Sequence, residues 1–573
     1  MIALSVALDL LERGDIDALS RGRVEVPDRF NWAQDVFEGR HMARNPDHVA
    51  LIWADDQGHE LHLSYQEFVQ RANRFLNLLR RQGLKEKQPI FVMLPVFPEV
   101  WFSYYAAIKG GFVLVPGATI LTPSDLEYRF RQLRPGAVLA DGLSAKKIDW
   151  AEMSMGQPIP IKLLAGGERP GWTSVEASRT EPAEAAAAAT RSSDPLFEFF
   201  TSGTTGLPKV VTHTHESYPI GHLTTSAWIG VRPGDVHSNI SQAGWAKFAW
   251  SSFFAPWNVG ATNLSYHYSG RFDARRQLEV LQEHAVTTFC APPTVWRMFI
   301  LEDLSKYHFR FRECVSAGEP LNPEVIDAWR KGTGVTLRDG YGQTESTLMV
   351  GNLPGREIKP GSVGWPSFLY DVRVVDEQGV EAKPGKEGNI AVHLRPRPPG
   401  LFAGYLGASP EVNAKAFRGE WYLTGDRAYR DPDGRFWFVG RADDVIKSSD
   451  YRIGPFEVES ALIEHPAVAE AAVVGSPDPV RGALVKAFVI LRPGEQPSAD
   501  LARDIFLFSR TKLAPYKIPR ILEFSTELPK TLSGKTRRNE LRMMETEARK
   551  RKERHPNEFL YSEVVTTELS RPQ

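Results

Sequence analysis

The sequence predicts an α/β protein: a large N-terminal body of mixed and parallel sheets sandwiched by helices, carrying a β-rich subdomain, followed by a small α+β C-terminal domain. Three observations lead there. From about Phe30, apolar runs of strand length alternate with helical stretches, the pattern of parallel strands joined by helical crossovers. Between Gly361 and Tyr429 the spacing shortens to strand and turn pairs. After Arg441 the order becomes a helix (PFEVESALIEHP) and two strands (VAEAAVVGSP, LVKAFVIL). The 573 residues, at about 150 per folding unit, allow three or four units in one or two larger bodies. The expected boundaries are 1–440 for the N-terminal domain, with its β-rich part at 361–440, then 441–545, then a charged tail at 546–573.

The start, MIALSVALDLLERGDIDAL, is apolar but has no basic region and meets acids at Asp9, Glu12 and Asp15, so no targeting peptide is expected. A hairpin is expected around Asp56-Gln57-Gly58 and a helix from Tyr65 to Gln82. Ile90 to Leu121 has the length of a membrane span, yet it holds Pro95, Pro98, Glu99, Lys109 and Gly110-Gly111. It reads as strand (IFVMLP), helix (EVWFSYYAAIKGG) and strand (FVLVPG), a buried βαβ unit. The alanine-rich stretch from Glu184 to Thr190 predicts a short exposed linker or helix. Strands follow at LFEFFTS, VTTFCAPP and FRECVSAG, each ending in a turn, where ligands of α/β sheets gather. Turns at Pro384-Gly385 and Pro432-Asp433-Gly434 punctuate the β-rich part, and the chain beyond Glu545 is expected to be a helix end followed by loosely held residues.

Charge narrows the function. Lys and Arg total 69 against 70 Asp and Glu, a net charge of -1, so no global field draws the chain to nucleic acid or anionic lipid. A polyanion therefore needs a local site. The two cysteines, Cys290 and Cys314, lack the paired spacing of zinc or redox sites, which excludes a disulfide scaffold and fits a reducing compartment, the cytoplasm. No nucleic-acid partner and no integral membrane association are expected. Oligomeric state is not legible.

The segment TSGTTGLPK supplies such a local site. Gly203 and Gly206 allow close backbone approach, the hydroxyls of Thr201, Ser202, Thr204 and Thr205 crowd the turn, and Lys209 adds a cation, a set suited to phosphate. It is not a P-loop, because Pro208 precedes Lys209 and Val210 follows it. His213 and His215 form an H-x-H pair with no further ligand set nearby, so zinc is not expected. The chain shows neither a serine nucleophile elbow nor a dinucleotide glycine fingerprint, which disfavours hydrolase and dehydrogenase chemistry.

Six motifs stand in order: TSGTTGLPK, SAGEPLNPEV (Ser316 to Val325), DGYGQTES (Asp339 to Ser346), WYLTGD (Trp421 to Asp426), GRADDVIKSSDYRIGPFEVE (Gly440 to Glu459) and PKTLSGKTRR (Pro529 to Arg538). On these the chain, from about Phe30 to Arg542, resembles the adenylate-forming superfamily of acyl-CoA synthetases, peptide-synthetase adenylation domains and luciferases. The wording is most similar to the medium-chain acyl-CoA synthetases and their acetyl-CoA synthetase relatives.

The resemblance implies an ATP site. Thr201 to Lys209 would hold the β- and γ-phosphates, and Gly318, Glu319 and Pro320 would line the adenine. Within Asp339, Gly340, Tyr341, Gly342, Gln343, Thr344 and Glu345, Tyr341 would stack on the base, Thr344 would contact the α-phosphate and Glu345 would hold Mg²⁺. Asp426 and Arg441 would take the ribose. Lys535 would be the catalytic lysine between the carboxylate and the α-phosphate, since two anions must be brought together and charge neutralisation does the catalysis. The C-terminal domain would be mobile, turning about Asp443 to present Ser449, Asp450, Tyr451, Arg452 and Arg481 to coenzyme A. The family usually has Gly where this chain has Asp450, which puts bulk and negative charge near an anionic co-substrate, and commonly Gly where it has Val211.

An acyl pocket is expected around Gly244 to Phe248, Trp257 and Ala291-Pro292-Pro293, with Trp245, Lys247, Ala291 and Pro292 as its lining. The implied reaction is adenylation of a medium-chain or aryl carboxylic acid by MgATP, then thioester formation with coenzyme A. The alternatives are loading of a carrier-protein thiol, a short-chain acetyl or propionyl preference, luciferase-like oxidation of the adenylate, and a scaffold without turnover.

Overall fold

The computed structural model describes residues 1–201, 208–449, 451–530 and 535–565. Ser202, Gly203, Thr204, Thr205, Gly206 and Asp450 lie outside the described residues. The chain divides into two compact units, one of residues 1–372 and 392–422, the other of 373–391 and 423–573.

The first unit is built on two large mixed sheets with helices, the layered α/β architecture expected from the alternation. One has eight strands, in the order Gly404–Leu406, Lys209–Thr214, Pro195–Thr201, Val113–Pro116, Pro89–Met93, Ala137–Asp141, Ile161–Ala165 and Thr173–Ser174. The other has nine, with Leu337–Gly342, Glu313–Ala317, Thr288–Ala291 and Val236–Asn239 adjacent near its centre. Helix Tyr65–Arg81 starts at a capping box in which Ser64 and Glu67 satisfy each other's backbone amides. The apolar run after Ile90 is a parallel βαβ unit, Pro89 registering with Val113, and its helix Pro98–Gly110 is buried on nearly every face. Thirteen residues are well short of the roughly 20 that span a bilayer. Among the described residues no helix is long and apolar enough to cross a membrane.

The alanine-rich stretch is neither helix nor free linker. It and the residues just before it run along Tyr65–Arg81, where Asn73 donates to Ala183 O, Asn77 to Pro182 O and Glu184 O, and Arg80 to Ala186 O, each at 2.9 Å, and Ala188 donates its amide to Lys109 O at 2.8 Å. Alanine favours helix, but three side chains on a neighbouring helix give the carbonyls of residues 182–186 better partners.

The second unit has its own core, in which Ile446, Val458, Leu462, Val473, Phe506 and Leu522 are buried. Its four-stranded sheet runs Val468–Asp478, Gly482–Leu491, Ile521–Phe524 and Glu558–Leu560. That last strand corrects the expectation of a loosely held tail after Glu545. The buried ammonium of Lys486 donates to Glu545 and Glu558 and pairs with Glu523, each at 2.6 Å, and Arg549 bonds Glu545 and Glu558 from the far side. Removing one member would strand a buried charge, so the cluster ties the strand Glu558–Leu560 to the sheet.

Candidate active site

In the first unit, the expected nucleotide residues converge at strand ends. Thr201 and Lys209, at the two ends of the TSGTTGLPK segment, are opposite each other on an antiparallel strand pair, and Tyr128 donates to Pro208 O at 3.0 Å. Strands Glu313–Ala317 and Leu337–Gly342 run parallel with Ala317 beside Gly340, so Gly318 to Pro320 and Tyr341 to Glu345 leave from neighbouring carboxyl ends. Gly318 adopts φ 108°, a conformation that excludes a side chain without strain. Glu319 is held at its rim by Thr294 at 3.3 Å and Arg297 at 3.6 Å. Asp339 is buried, takes the Gly340 amide at 2.9 Å, and is pushed up to about 8 by desolvation.

The turn after Gly342 is gripped from several sides. A Cβ at Gly342 would lie 2.4 Å from Thr347 O and 2.5 Å from the Trp250 ring, so only glycine fits. Tyr422 donates to Gln343 Oε1 at 3.0 Å, and Tyr370 accepts the Thr347 amide at 3.0 Å. The Thr344 carbonyl meets His213 Nε2 at 2.7 Å. Burial drives His213 down to about 3, so it is neutral. With Ser217 Oγ accepting the Thr214 amide and facing Nδ1 at 2.9 Å, the network assigns the Nε2–H tautomer. His213 is thus a brace for the turn, a role the H-x-H spacing did not reveal. His215, at the end of that strand, is buried and pushed down to about 4 by desolvation.

Glu345 is half-buried. Its Oε1 accepts from Tyr405 at 2.8 Å, and its carbonyl accepts the Phe402 amide at 2.9 Å. Lys209 Nζ stands 4.9 Å from the centroid of the same Tyr405 ring. One hard carboxylate ligand of this kind suits Mg²⁺, which keeps most of its shell for waters and phosphate oxygens. The residues fit the ion.

Of the expected acyl-pocket residues, Trp245 packs on the cluster of Phe91, Ala118 and Phe130. Ala291 is buried, its carbonyl accepting from Trp296 at 3.0 Å, and Pro292 caps the helix Pro293–Phe299. Lys247 donates to Ala317 O at 3.1 Å, at the root of the Gly318 turn. Trp257 lies in the core: at the end of the short helix Ala255–Trp257 it is fully buried among Phe37, Phe68 and Phe253 and donates to Ala50 O.

In the second unit, Asp426 and Arg441 are direct partners across the antiparallel strands Trp421–Arg430 and Phe436–Arg441, with Nε 3.8 Å from Oδ1. Asp426 is buried while Arg441 is largely exposed. Arg441 also reaches Asp443 Oδ1 at 3.5 Å, and Arg542 donates to the Asp443 carbonyl at 2.6 Å. Asp444, bonded to Arg542, is raised above the usual carboxyl range by burial. Lys535 is exposed, beside the bridge between Lys530 and Thr536 and just ahead of helix Arg538–Lys550. Arg538 anchors that helix by a forked bond to Glu459 at 2.8 and 2.6 Å.

The hairpin Ile446–Ser448 with Tyr451–Ile453 turns at Ser449, which adopts φ 53° and donates its amide to Arg481 O at 2.8 Å. Ser449 and Arg481 are therefore neighbours. Tyr451 stacks on Tyr516 at 4.2 Å, and Arg452 and Arg481 are exposed.

Comparison with known proteins settles the family. The model of the AMP-binding enzyme family matches residues 39–406, and that of the AMP-binding enzyme C-terminal domain matches 457–535. The chain belongs to the AMP-binding enzyme family. Within it, the chain is 52% identical over 538 residues to 4-hydroxybutyrate–CoA ligase 1 of Metallosphaera sedula, covering 93% of this chain and 94% of that one. It is 43% identical over 539 residues to the mitochondrial acyl-coenzyme A synthetase ACSM3 of Mus musculus, covering 91% and 92%. A crystal structure of the anthranilate CoA ligase AuaEII in complex with anthranoyl-AMP superposes with a TM-score of 0.83 at 31% identity, over 92% of this chain and 99% of that one. This AMP-binding enzyme is an acid–thiol ligase of the acyl-CoA synthetase group, in the adenylate-forming superfamily.

Proposed function

We propose that the enzyme activates a medium-chain or aryl carboxylic acid, with the residue roles that follow. The observation that carries the nucleotide half is the convergence of Lys209, Tyr405 and Glu345 beside the Thr344 turn, a cation and a carboxylate held at one place by one tyrosine. A carboxylate oxygen attacks the α-phosphorus of ATP, and the bond to pyrophosphate breaks. The thiol of coenzyme A then adds to the acyl carbonyl and AMP leaves. Both attacking partners in the first step are anions, so positioning and charge neutralisation supply the rate.

Lys209 and the hydroxyls of its turn bind the outer phosphates, and the Thr344 hydroxyl orients the α-phosphate. Gly318 to Pro320 and Tyr341 bound the adenine. Asp426, buried beside Arg441, accepts from the ribose hydroxyls, with Arg441 as a second donor. Mg²⁺ held by Glu345 would offset charge on the triphosphate oxygens. Lys535 places its ammonium at the developing charge, on a domain spanning 441–545 that turns about Asp443. Ser449, Tyr451, Arg452 and Arg481 bind coenzyme A, and Asp450 tunes that half-reaction. Trp245, Lys247, Ala291 and Pro292 bound the acyl chain, with Lys247 acting through the Ala317 carbonyl.

The similarity to a 4-hydroxybutyrate–CoA ligase favours a second reading, a short hydroxy acid. The proposed compartment is the cytoplasm, supported by two buried, unpaired cysteines, and cell fractionation tests it. An acid panel from acetate and 4-hydroxybutyrate through octanoate to benzoate, run with and without coenzyme A while AMP and thioester are followed separately, decides substrate and acceptor together. A sharp optimum at acetate or at 4-hydroxybutyrate overturns the medium-chain assignment.

A further inference from the structure

We infer that Tyr405 is a positioning residue that sets Glu345 for the metal and Lys209 for the outer phosphates, an inference that rests on the nucleotide reading above. The phenol does two different things at once. Its hydroxyl donates to Glu345 Oε1 at 2.8 Å, while Lys209 Nζ lies 4.9 Å from its ring centroid, within cation–π range.

The tyrosine itself has little freedom. Its strand, Gly404–Leu406, pairs antiparallel with Lys209–Thr214, Tyr405 facing Val211, so it is in register with the strand that Lys209 opens. Asn413 clasps its backbone from both sides, accepting the amide at 3.1 Å and donating to the carbonyl at 3.4 Å. The Phe402 ring stands edge-on at 4.9 Å, and the Phe402 amide bonds the Glu345 carbonyl at 2.9 Å. Segment 402–405 therefore holds both the main chain and the side chain of Glu345.

The consequence is a division of labour within one side chain. The hydroxyl fixes one oxygen of the Glu345 carboxylate and so aims the other, as outer-shell partners of metal-binding carboxylates do. The electron-rich face of the ring directs an ammonium without neutralising it, because it carries no net charge. Sequence gives no hint of this, since Tyr405 lies 60 residues from Glu345 in a segment without a motif.

The two contacts separate under substitution. ATP binding is measured by calorimetry on the full chain in Mg²⁺ and in EDTA, for the wild type, Tyr405→Phe and Tyr405→Leu, with melting temperatures alongside. Tyr405→Phe keeps the ring, so its affinity in EDTA should stay within about twofold of wild type, while the gain in affinity on adding Mg²⁺ should fall about tenfold, the usual cost of losing an outer-shell partner. Tyr405→Leu should lose the same Mg²⁺ gain and also bind more weakly in EDTA. A Mg²⁺ gain in Tyr405→Phe equal to wild type overturns the inference, as does an equal loss in both conditions, which would mean the residue merely supports the fold. Failure of the wild type to bind ATP in either condition would instead overturn the nucleotide reading.

Discussion

The turn from Gln343 to Thr347 and the described residues beside Lys535 both carry proposed catalytic groups, yet they are built in opposite ways. The first is braced by His213, Tyr370, Tyr405 and Tyr422, which come from elements far away in the chain. Lys535 is exposed at the edge of a two-residue bridge, Arg452 is exposed in the middle of strand Tyr451–Ile453, and Arg481 is exposed just ahead of strand Gly482–Leu491. Groups that meet a phosphate throughout the reaction gain from a fixed frame, because preorganised donors need no rearrangement as charge develops. Groups that serve only one half-reaction must be able to leave, and a long, exposed side chain suits that demand.

The sharpest way to break this contrast is Lys535→Ala. Loss of its ammonium should cut carboxylate-dependent ATP–pyrophosphate exchange by about 10² to 10³, the usual cost of one transition-state donor. Thioester formation from supplied acyl-adenylate should persist. Equal loss of both half-reactions would mean that Lys535 is not specific to adenylation.

A brace should cost less than a reacting group. His213→Ala leaves the Thr344 carbonyl unpartnered in a buried place, which costs about 1 to 3 kcal/mol. Exchange should fall about tenfold, with both stability and rate depressed. Because folded His213 is held near 3, the exchange defect should not change between pH 5 and 8, while the stability defect should shrink below about 6.5, where the unfolded chain takes up a proton that the native state excludes. An exchange defect that titrates near 6.5 would refute the neutral assignment.

The smallest effect on activity is expected at Glu198, on the strand Pro195–Thr201, where the carboxyl is buried opposite Thr212 and pushed up to about 7 by desolvation. Its folded value lies above the ordinary 4.5, so the native state keeps a proton that the unfolded chain releases. Stability is fullest below 4.5, falls as pH rises through about 7, and levels above that. At about 1.4 kcal/mol per pH unit the loss is of order 3 kcal/mol. Denaturant unfolding of Glu198→Gln across pH 4 to 8 should show a flatter profile than wild type. An unchanged slope would place the titration elsewhere.

Much of the architecture was legible in the sequence. The βαβ unit at 89–116, the hairpin at Asp56 to Gly58 and the helix from Tyr65 follow from periodicity and turn residues alone. The alanine-rich strap and the strand at Glu558 did not, because each is decided by partners elsewhere: amide and guanidinium donors on one helix, and a lysine buried among carboxylates. Trp257 shows the same limit, since an indole in an apolar stretch can line a pocket or fill a core.

What the sequence by itself determined was chemistry at short range: which turns carry hydroxyls, glycines and cations, and in what order. Only the tertiary structure decided what holds those turns. His213 braces Thr344 across 131 residues, Tyr422 holds Gln343 across 79, and Tyr405 joins Lys209 to Glu345. Backbone preference and spacing act over a few residues, whereas these bonds exist only after sheets and loops have packed, so no local pattern could announce them.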